Sequence, residues 1–153
     1  MDTVNKVLVV GSGVMGSTIA QVFATGDIDV ALFDIEESAL ARAMGRIQAG
    51  LQTLASVGKL SSEQVARALS HIHLSQDMAA AAEGVAFAIE AVPEVPAIKR
   101  TVLAQMADHC ADETVIASNT SFLNIFDLVE GNGWNAWLLR ISLGRRTLFR
   151  SSK

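Results

Sequence analysis

The chain has 153 residues, half of them hydrophobic, which is enough for one globular domain with a sizeable core. No apolar run reaches the ~18 to 20 residues of a membrane span, and the start "MDTVNKVLVVGSG" lacks the order of a secretory signal peptide. The single cysteine, Cys110, excludes an internal disulfide, and the spacing of His71, His73 and His109 is not that of a zinc site. We therefore expect a cytoplasmic protein with no membrane partner and no metal.

The charge is distributed unevenly along the chain. Through Glu130 the charge is −9, because all 16 acidic residues lie there, whereas five basic residues after it contribute +5. The net charge of −4 disfavours nucleic acid as a partner, since phosphate binding requires a concentrated basic face. The basic segment 131–153 therefore needs an explanation of its own.

Strand and helix patterns alternate from residue 6 onward. The first helix is predicted by apolar residues at helical spacing, and a later one by a capping box at Ser61 and Gln64. The predicted order is strand 6–10, helix 14–25, strand 29–34, helix 36–56, a helix from 61, strand 71–75, short helix 77–84, strand 85–92, helix 96–110 and strand 114–118. This alternation predicts an α/β fold of the Rossmann type, a doubly wound and mainly parallel sheet with helices on both faces, within a domain of residues 1–130.

The segment "VVGSGVMG" contains a G-x-G-x-x-G pattern between the first predicted strand and the first predicted helix. In this position the first glycine allows a tight turn, the second lets the backbone approach a pyrophosphate, and the third lets helix and strand pack closely. The candidate cofactor-binding residues of this loop are Gly11, Ser12, Gly13, Val14, Met15 and Gly16.

Asp34 is the last residue of the second predicted strand, roughly twenty residues beyond the glycines, where a carboxylate can accept hydrogen bonds from an adenosine ribose. The segment "DIEES" places no Arg or Lys directly after it, so a 2′-phosphate would meet negative charge. NAD is therefore the expected cofactor rather than NADP. The alternative is that Asp34 is a solvated carboxylate at a helix start.

Five segments, in order, resemble the 3-hydroxyacyl-CoA dehydrogenase family and its 3-hydroxybutyryl-CoA relatives: "VLVVGSGVMG", "LFDIEESAL", the long helical stretch after it, "FAIEAVPEVPAIK" and "VIASNTS". The resemblance implies an N-terminal dinucleotide-binding domain followed by a helical domain that completes the active site and forms a dimer. It also implies NAD-dependent oxidation of the 3-hydroxyl of an acyl-CoA substrate.

The same resemblance assigns nicotinamide-side contacts to Glu94 and Lys99. It assigns Asn119 and Ser121 to the family's S-N-T-S segment, whose last serine hydrogen-bonds the substrate oxygen and the catalytic histidine. From the residues alone, Glu94 lies past the carboxyl end of a strand, where open α/β sheets bind ligands. Lys99 could equally be an exposed first-turn lysine, and the hydroxyls near Ser121 could cap a helix starting near Phe122.

Two features depart from the family pattern in the substrate region. Gly50 stands at the best match for a serine that contacts CoA in some members, and Lys59 is only a loose match for a nearby lysine. A β-hydroxyacid or carnitine-type dehydrogenase therefore remains an alternative. So does a module that binds a dinucleotide or a partner without chemistry.

The resemblance further implies a catalytic histidine and an orienting glutamate beyond the S-N-T-S serine, but no histidine follows Ser121. Back-translation of the segment from Leu138 with allowed codons, read in a shifted frame, produces "VAHFFGPPHLIPLVE", which matches the family's catalytic segment. The hypothesis is that the chain from between Gly131 and Leu138 onward is a frameshifted reading of a longer gene, whose helical domain is absent here. The alternatives are a genuine basic tail and a tail that binds nucleic acid or an anionic surface.

Overall fold

A computed structural model of the chain describes residues 4–125 and Leu128. Within them, strands and helices alternate as the sequence predicts. The elements are β1 (Lys6–Val10), α1 (Val14–Thr25), β2 (Asp29–Phe33), α2 (Glu37–Ser56), α3 (Ser62–Ser70), β3 (Ile72–Ser75), α4 (Met78–Ala82), β4 (Phe87–Glu90), α5 (Pro96–His109) and β5 (Val115–Ser118). Ser61 caps α3 by the predicted capping box with Gln64.

The five described strands form one parallel sheet in the order β3-β2-β1-β4-β5. From β1 the chain passes outward to β2 and β3, and then returns to the other side of β1 to form β4 and β5. The strand order therefore reverses between β1 and β4, and a crevice opens at the carboxyl ends of these two strands. The Rossmann-type doubly wound fold expected from the alternation is confirmed.

The central strand β1 is buried from both sides. Val7 and Val9 belong to a core with α1, α2 and α3, whereas Leu8 and Val10 belong to a second core with α4 and α5. Successive side chains of a strand point to opposite faces, so each apolar residue of β1 contributes to one of the two layers. This burial explains why the strand is an uninterrupted apolar run rather than an alternating one.

The helix α1 has the predicted bounds, but only some of its large apolar residues face the core: Ile19 and Phe23 are half-buried against it, whereas three others are exposed. Val14, Met15 and Val22 are 70%, 50% and 63% exposed. The buried residues of α1 are small: Gly16, Ser17, Ala20 and Ala24. Small side chains let α1 lie close against β1 and β2, and this leaves the larger apolar side chains of its first turn facing outward at the crevice.

The predicted domain end near Glu130 and the basic segment 131–153 lie outside the described residues. Among the residues that the structure describes, no helix combines the length and apolar character needed to cross a membrane.

Candidate dinucleotide-binding site

Gly11 brings the ends of three strands together. It follows β1, its N–H donates to the Phe33 carbonyl at the end of β2 at 2.9 Å, and a Cβ on it would lie 2.9 Å from the carbonyl carbon and oxygen of Ala91, directly after β4. Its φ of +100° is a conformation that side-chain-bearing residues rarely adopt. A glycine is therefore required here on both conformational and steric grounds.

The other two glycines of the loop have opposite surroundings. A Cβ on Gly16 would overlap the Gly11 carbonyl oxygen, so Gly16 permits the close contact between α1 and the loop. A Cβ on Gly13, which caps the N-terminus of α1, would meet no atom within 4 Å. Neither a side-chain cap nor an acidic residue occupies the first turn of α1. The helix N-terminus thus presents unsatisfied N–H groups to an open cradle, which fits the pyrophosphate of a dinucleotide.

Asp34 is tied to the glycine loop through Ser12. The amide and the hydroxyl of Ser12 both donate to Asp34 Oδ2, at 2.8 and 2.7 Å. Partial burial acts to raise the pKa of Asp34, but the hydrogen bonds from Ser12 outweigh it and leave that pKa below its usual value. Oδ1 accepts a long hydrogen bond from the Glu36 amide, at 3.2 Å, and retains capacity for a further donor such as a ribose hydroxyl.

Ser12 itself is fully buried and faces the protein. The sequence predicts Ser12 to be a cofactor-binding residue. In this geometry its contribution to binding is indirect, because its side chain orients Asp34. Val14 and Met15, by contrast, are exposed at the cradle.

Arg46, which the sequence analysis did not single out, supports the loop from α2. Its Nη2 donates to the Ser12 carbonyl at 2.6 Å and its Nε donates to Ser17 Oγ at 3.2 Å. Ser17 Oγ in turn donates to the Gly13 carbonyl at 2.7 Å. The contact joins residues far apart in sequence and has no local pattern, so only the packing of α2 beside α1 shows it.

On the other side of the crevice, Lys99 is completely buried rather than exposed in the first turn of α5. Its Nζ donates to Glu90 Oε1 at 2.7 Å and to the Val92 carbonyl at 3.2 Å, and lies 3.2 Å from Glu94 Oε2. Glu90 has no exposed side-chain surface either. The carboxylate of Glu90 also accepts hydrogen bonds from the Val92 amide, at 2.8 Å, and from the Ser118 hydroxyl. The sequence analysis missed Glu90 and Ser118, because each is the last residue of its strand and its burial depends on partners far away in sequence.

Glu94 connects the loop after β4 with the segment after β5. It accepts hydrogen bonds from the Thr120 hydroxyl at 2.9 Å and from the Ser121 amide at 2.7 Å. Desolvation acts to raise the pKa of Glu94, whereas these two hydrogen bonds and the Lys99 ammonium lower it, so the pKa lies below its ordinary value. Glu94 is therefore an anion at neutral pH, with its side chain 36% exposed.

The structure thus brings Glu94, Lys99, Asn119 and Ser121 together. The backbone N–H of Asn119 donates to the backbone carbonyl of Glu90 at 2.8 Å, which fixes the start of the S-N-T-S turn. The Ser121 side chain is exposed. Thr120 had not been predicted as part of this group, although it lies between two residues that had.

The histidines and the cysteine lie apart from this site. His71 Nδ1 is 2.7 Å from Asp29 Oδ1 near the opposite, amino-terminal ends of the strands, and burial raises the pKa of the Cys110 thiol at the end of α5. Among the described residues, no group of three or more His, Cys, Asp or Glu side chains could hold a metal ion.

Comparison with known proteins agrees with this geometry. The model of the 3-hydroxyacyl-CoA dehydrogenase NAD-binding domain matches residues 6–134. The chain is 38% identical over 125 residues to a 3-hydroxyadipyl-CoA dehydrogenase of Escherichia coli K12, covering 82% of this chain and 26% of that protein. It is 33% identical over 122 residues to a glyoxysomal fatty acid beta-oxidation multifunctional protein of Brassica napus, covering 80% of this chain and 17% of that protein.

Among solved structures, 3-hydroxybutyryl-CoA dehydrogenase from Escherichia coli K12 superimposes with a TM-score of 0.79 at 35% identity. The match covers 85% of this chain and 27% of that one. The chain therefore spans about a quarter or less of the length of these relatives.

Proposed function

Because the chain belongs to the 3-hydroxyacyl-CoA dehydrogenase family through its NAD-binding domain, we propose that it is the cofactor-binding part of a dehydrogenase that oxidises the 3-hydroxyl of an acyl-CoA substrate. The observation that carries the proposal is the open cradle at Gly13 together with Asp34 fixed by Ser12 on the far side of the same loop. These residues match two neighbouring parts of an adenosine diphosphate: its phosphates and its ribose.

In this proposal, different residues of the chain bind different parts of the cofactor. The loop from Gly11 to Gly16 and the N-terminus of α1 hold the pyrophosphate, and Asp34 accepts hydrogen bonds from the adenosine ribose. Glu94 and Lys99 stand at the nicotinamide side, across the crevice from Asp34. When bound, NAD supplies the hydride acceptor for the alcohol. The protein's contribution is to orient the ring and to exclude alternative poses.

Asn119 and Ser121 are the proposed catalytic residues of this chain. Ser121 is exposed and its backbone amide is held by Glu94, so its hydroxyl can turn toward a substrate oxygen while its main chain stays fixed. The role proposed for Ser121 is to hydrogen-bond the alcohol oxygen. The described residues around this site include no histidine that could accept the alcohol proton, and none follows Ser121 in the sequence.

The CoA ester is supported by the names of the relatives, which act on 3-hydroxyadipyl-CoA and 3-hydroxybutyryl-CoA or belong to fatty acid beta-oxidation. A second candidate, a 3-hydroxy acid without CoA, is favoured by the surroundings of Gly50. The nearest atoms to a Cβ there would be those of the Gln21 side-chain amide, and Gly50 itself offers no hydroxyl to a CoA group. We further propose a cytoplasmic location and, for the longer protein, a homodimer.

The cofactor assignment is tested by isothermal titration of the 153-residue chain with NAD⁺ and NADP⁺. We expect the wild-type chain to bind NAD⁺ more tightly than NADP⁺. The substitution Asp34→Asn should lower the affinity for NAD⁺ by about tenfold or more, because a charge-assisted hydrogen bond is lost. Glu63→Gln, which removes an exposed carboxylate on α3, is the matched control and should leave both affinities unchanged. Equal affinity for NADP⁺, or binding of neither dinucleotide, would contradict the proposal.

A further inference from the structure

Glu90, Glu94 and Lys99 form a charged cluster beside the glycine loop. Two carboxylates and one ammonium carry a net charge of −1. The three N–H donors of Lys99 are all directed at acceptors within the cluster and its loop, at 2.7, 3.2 and 3.2 Å. Lys99 therefore cannot turn away to pair with a bound ligand, and its charge belongs to the cluster.

Glu90 is the anchor of this cluster. It is the last residue of β4, in register with Val10 on β1 and with Ser118 on β5, so it lies at the strand ends that border the crevice. Its side chain is entirely buried, and both carboxylate oxygens accept hydrogen bonds. A charge fixed in such a place is poorly screened by water and acts over a longer distance than a surface charge.

The consequence for Glu94 follows from charge balance. Glu90 makes the shorter contact with Lys99, at 2.7 Å against 3.2 Å, and is the more deeply buried partner. Lys99 is thereby neutralised mainly by Glu90, and the negative charge of Glu94 is left over. Glu94 is also the exposed member of the cluster, on the crevice side opposite Asp34.

The two redox states of the cofactor differ in charge at this side of the crevice. The nicotinamide ring carries a positive charge when oxidised and none when reduced. We infer that Glu90 is a positioning residue that neutralises Lys99, leaves Glu94 as an uncompensated anion, and so shifts the relative affinity of the site toward the oxidised dinucleotide. The inference rests on the proposed function, which places the nicotinamide beside Glu94.

The test compares the affinities of NAD⁺ and NADH, by titration calorimetry, for the wild-type chain, Glu90→Gln and Glu94→Gln. Each substitution keeps the side-chain shape and removes one negative charge, so the cluster becomes neutral. We expect the ratio of the two dissociation constants to move roughly three- to tenfold toward NADH in both variants. Glu113→Gln, an exposed residue in the turn before β5 at the opposite end of the sheet, is the control and should leave the ratio unchanged.

A purely structural role for Glu90 predicts a different result, because a distorted loop weakens both cofactors by the same factor. Equal weakening of NAD⁺ and NADH in Glu90→Gln, or an unchanged ratio in Glu94→Gln, overturns the inference. If Glu90→Gln does not fold, the double variant Glu90→Gln, Lys99→Met takes its place: Glu94 is then again an uncompensated anion, so the ratio should stay near the wild-type value, and a shift toward NADH overturns the inference. A wild-type chain that binds neither dinucleotide refutes the proposed function itself. If the dinucleotides bind but the ratio of their dissociation constants is the same in wild type and variants, only the charge effect is refuted.

Discussion

Lys99 Nζ lies 2.7 Å from Glu90 Oε1, and neither side chain has any exposed surface. The pair joins the first turn of α5 to the end of β4, and through Glu94 it reaches the segment after β5. A buried ion pair is weak evidence for stability, since burial of both charges opposes their attraction. Removal of one partner is a different matter, because it leaves the other charge buried without compensation.

Lys99→Met should therefore destabilise the chain strongly, by about 3 to 5 kcal/mol. The double variant Glu90→Gln, Lys99→Met should recover much of that loss, because the orphaned charge is gone. Denaturant unfolding followed by circular dichroism measures both. Lys59→Met, at an exposed lysine, is the control, and a loss in Lys99→Met no greater than that of Lys59→Met would show that the pair is not buried as described.

Substitutions of Gly13 and Gly16 should have different main effects, on NAD⁺ binding and on stability respectively. Gly16→Ala places a methyl group on the Gly11 carbonyl and should lower the free energy of unfolding by about 1 to 3 kcal/mol, as overpacking does. Gly13→Ala has space for its methyl group and should cost less, about 0.5 to 1 kcal/mol, because alanine is a poorer N-cap than glycine, yet the methyl group enters the cradle and should weaken NAD⁺ binding. Thermal unfolding and NAD⁺ titration of both variants check this pattern, and full NAD⁺ affinity in Gly13→Ala would contradict it.

The lowered pKa of Asp34 makes a prediction about pH. A carboxyl whose folded pKa lies below its unfolded value stabilises the fold above the unfolded pKa, and this contribution is lost as the pH falls through the folded pKa. Wild type should therefore be more stable than Asp34→Asn at pH 7, and the gap should close as the pH falls below about 4. Urea unfolding of both proteins across this range measures the gap; a difference independent of pH would show that Ser12 does not bind the charged form preferentially.

The basic segment leads to a prediction about the gene. If the residues from somewhere between Gly131 and Leu138 onward are a shifted reading, the coding DNA should contain a second open frame that encodes the H-F-F-x-P-P segment and continues into a helical domain. DNA sequencing through the end of the coding region and beyond it decides this. The 153-residue chain should then bind NAD⁺ without turning over acetoacetyl-CoA and NADH, and the frame-restored protein should be active. A closed second frame, or substantial turnover by the present chain, would contradict the hypothesis.

Local patterns were sufficient for the order of elements and for one half of the site. The bounds of β1 and α1 follow from an apolar run, a glycine turn and a helical period, all of which are short-range features. The glycine loop and Asp34 could be predicted because a tight turn and a carboxylate after the next strand occupy set places in this kind of α/β unit.

Tertiary structure decided the rest, because burial and charge pairing depend on residues far apart in sequence. The apolar residues of α1 indicated a helix but only part of its inward face, since Ile19 and Phe23 pack against the core while small residues make the closest contact beside the loop. Arg46 reaches the loop only because α2 packs beside α1. Whether Lys99 is a solvated lysine or a buried one is invisible in its local sequence, and it is settled by Glu90, whose carboxylate is the partner that makes burial of the ammonium tolerable.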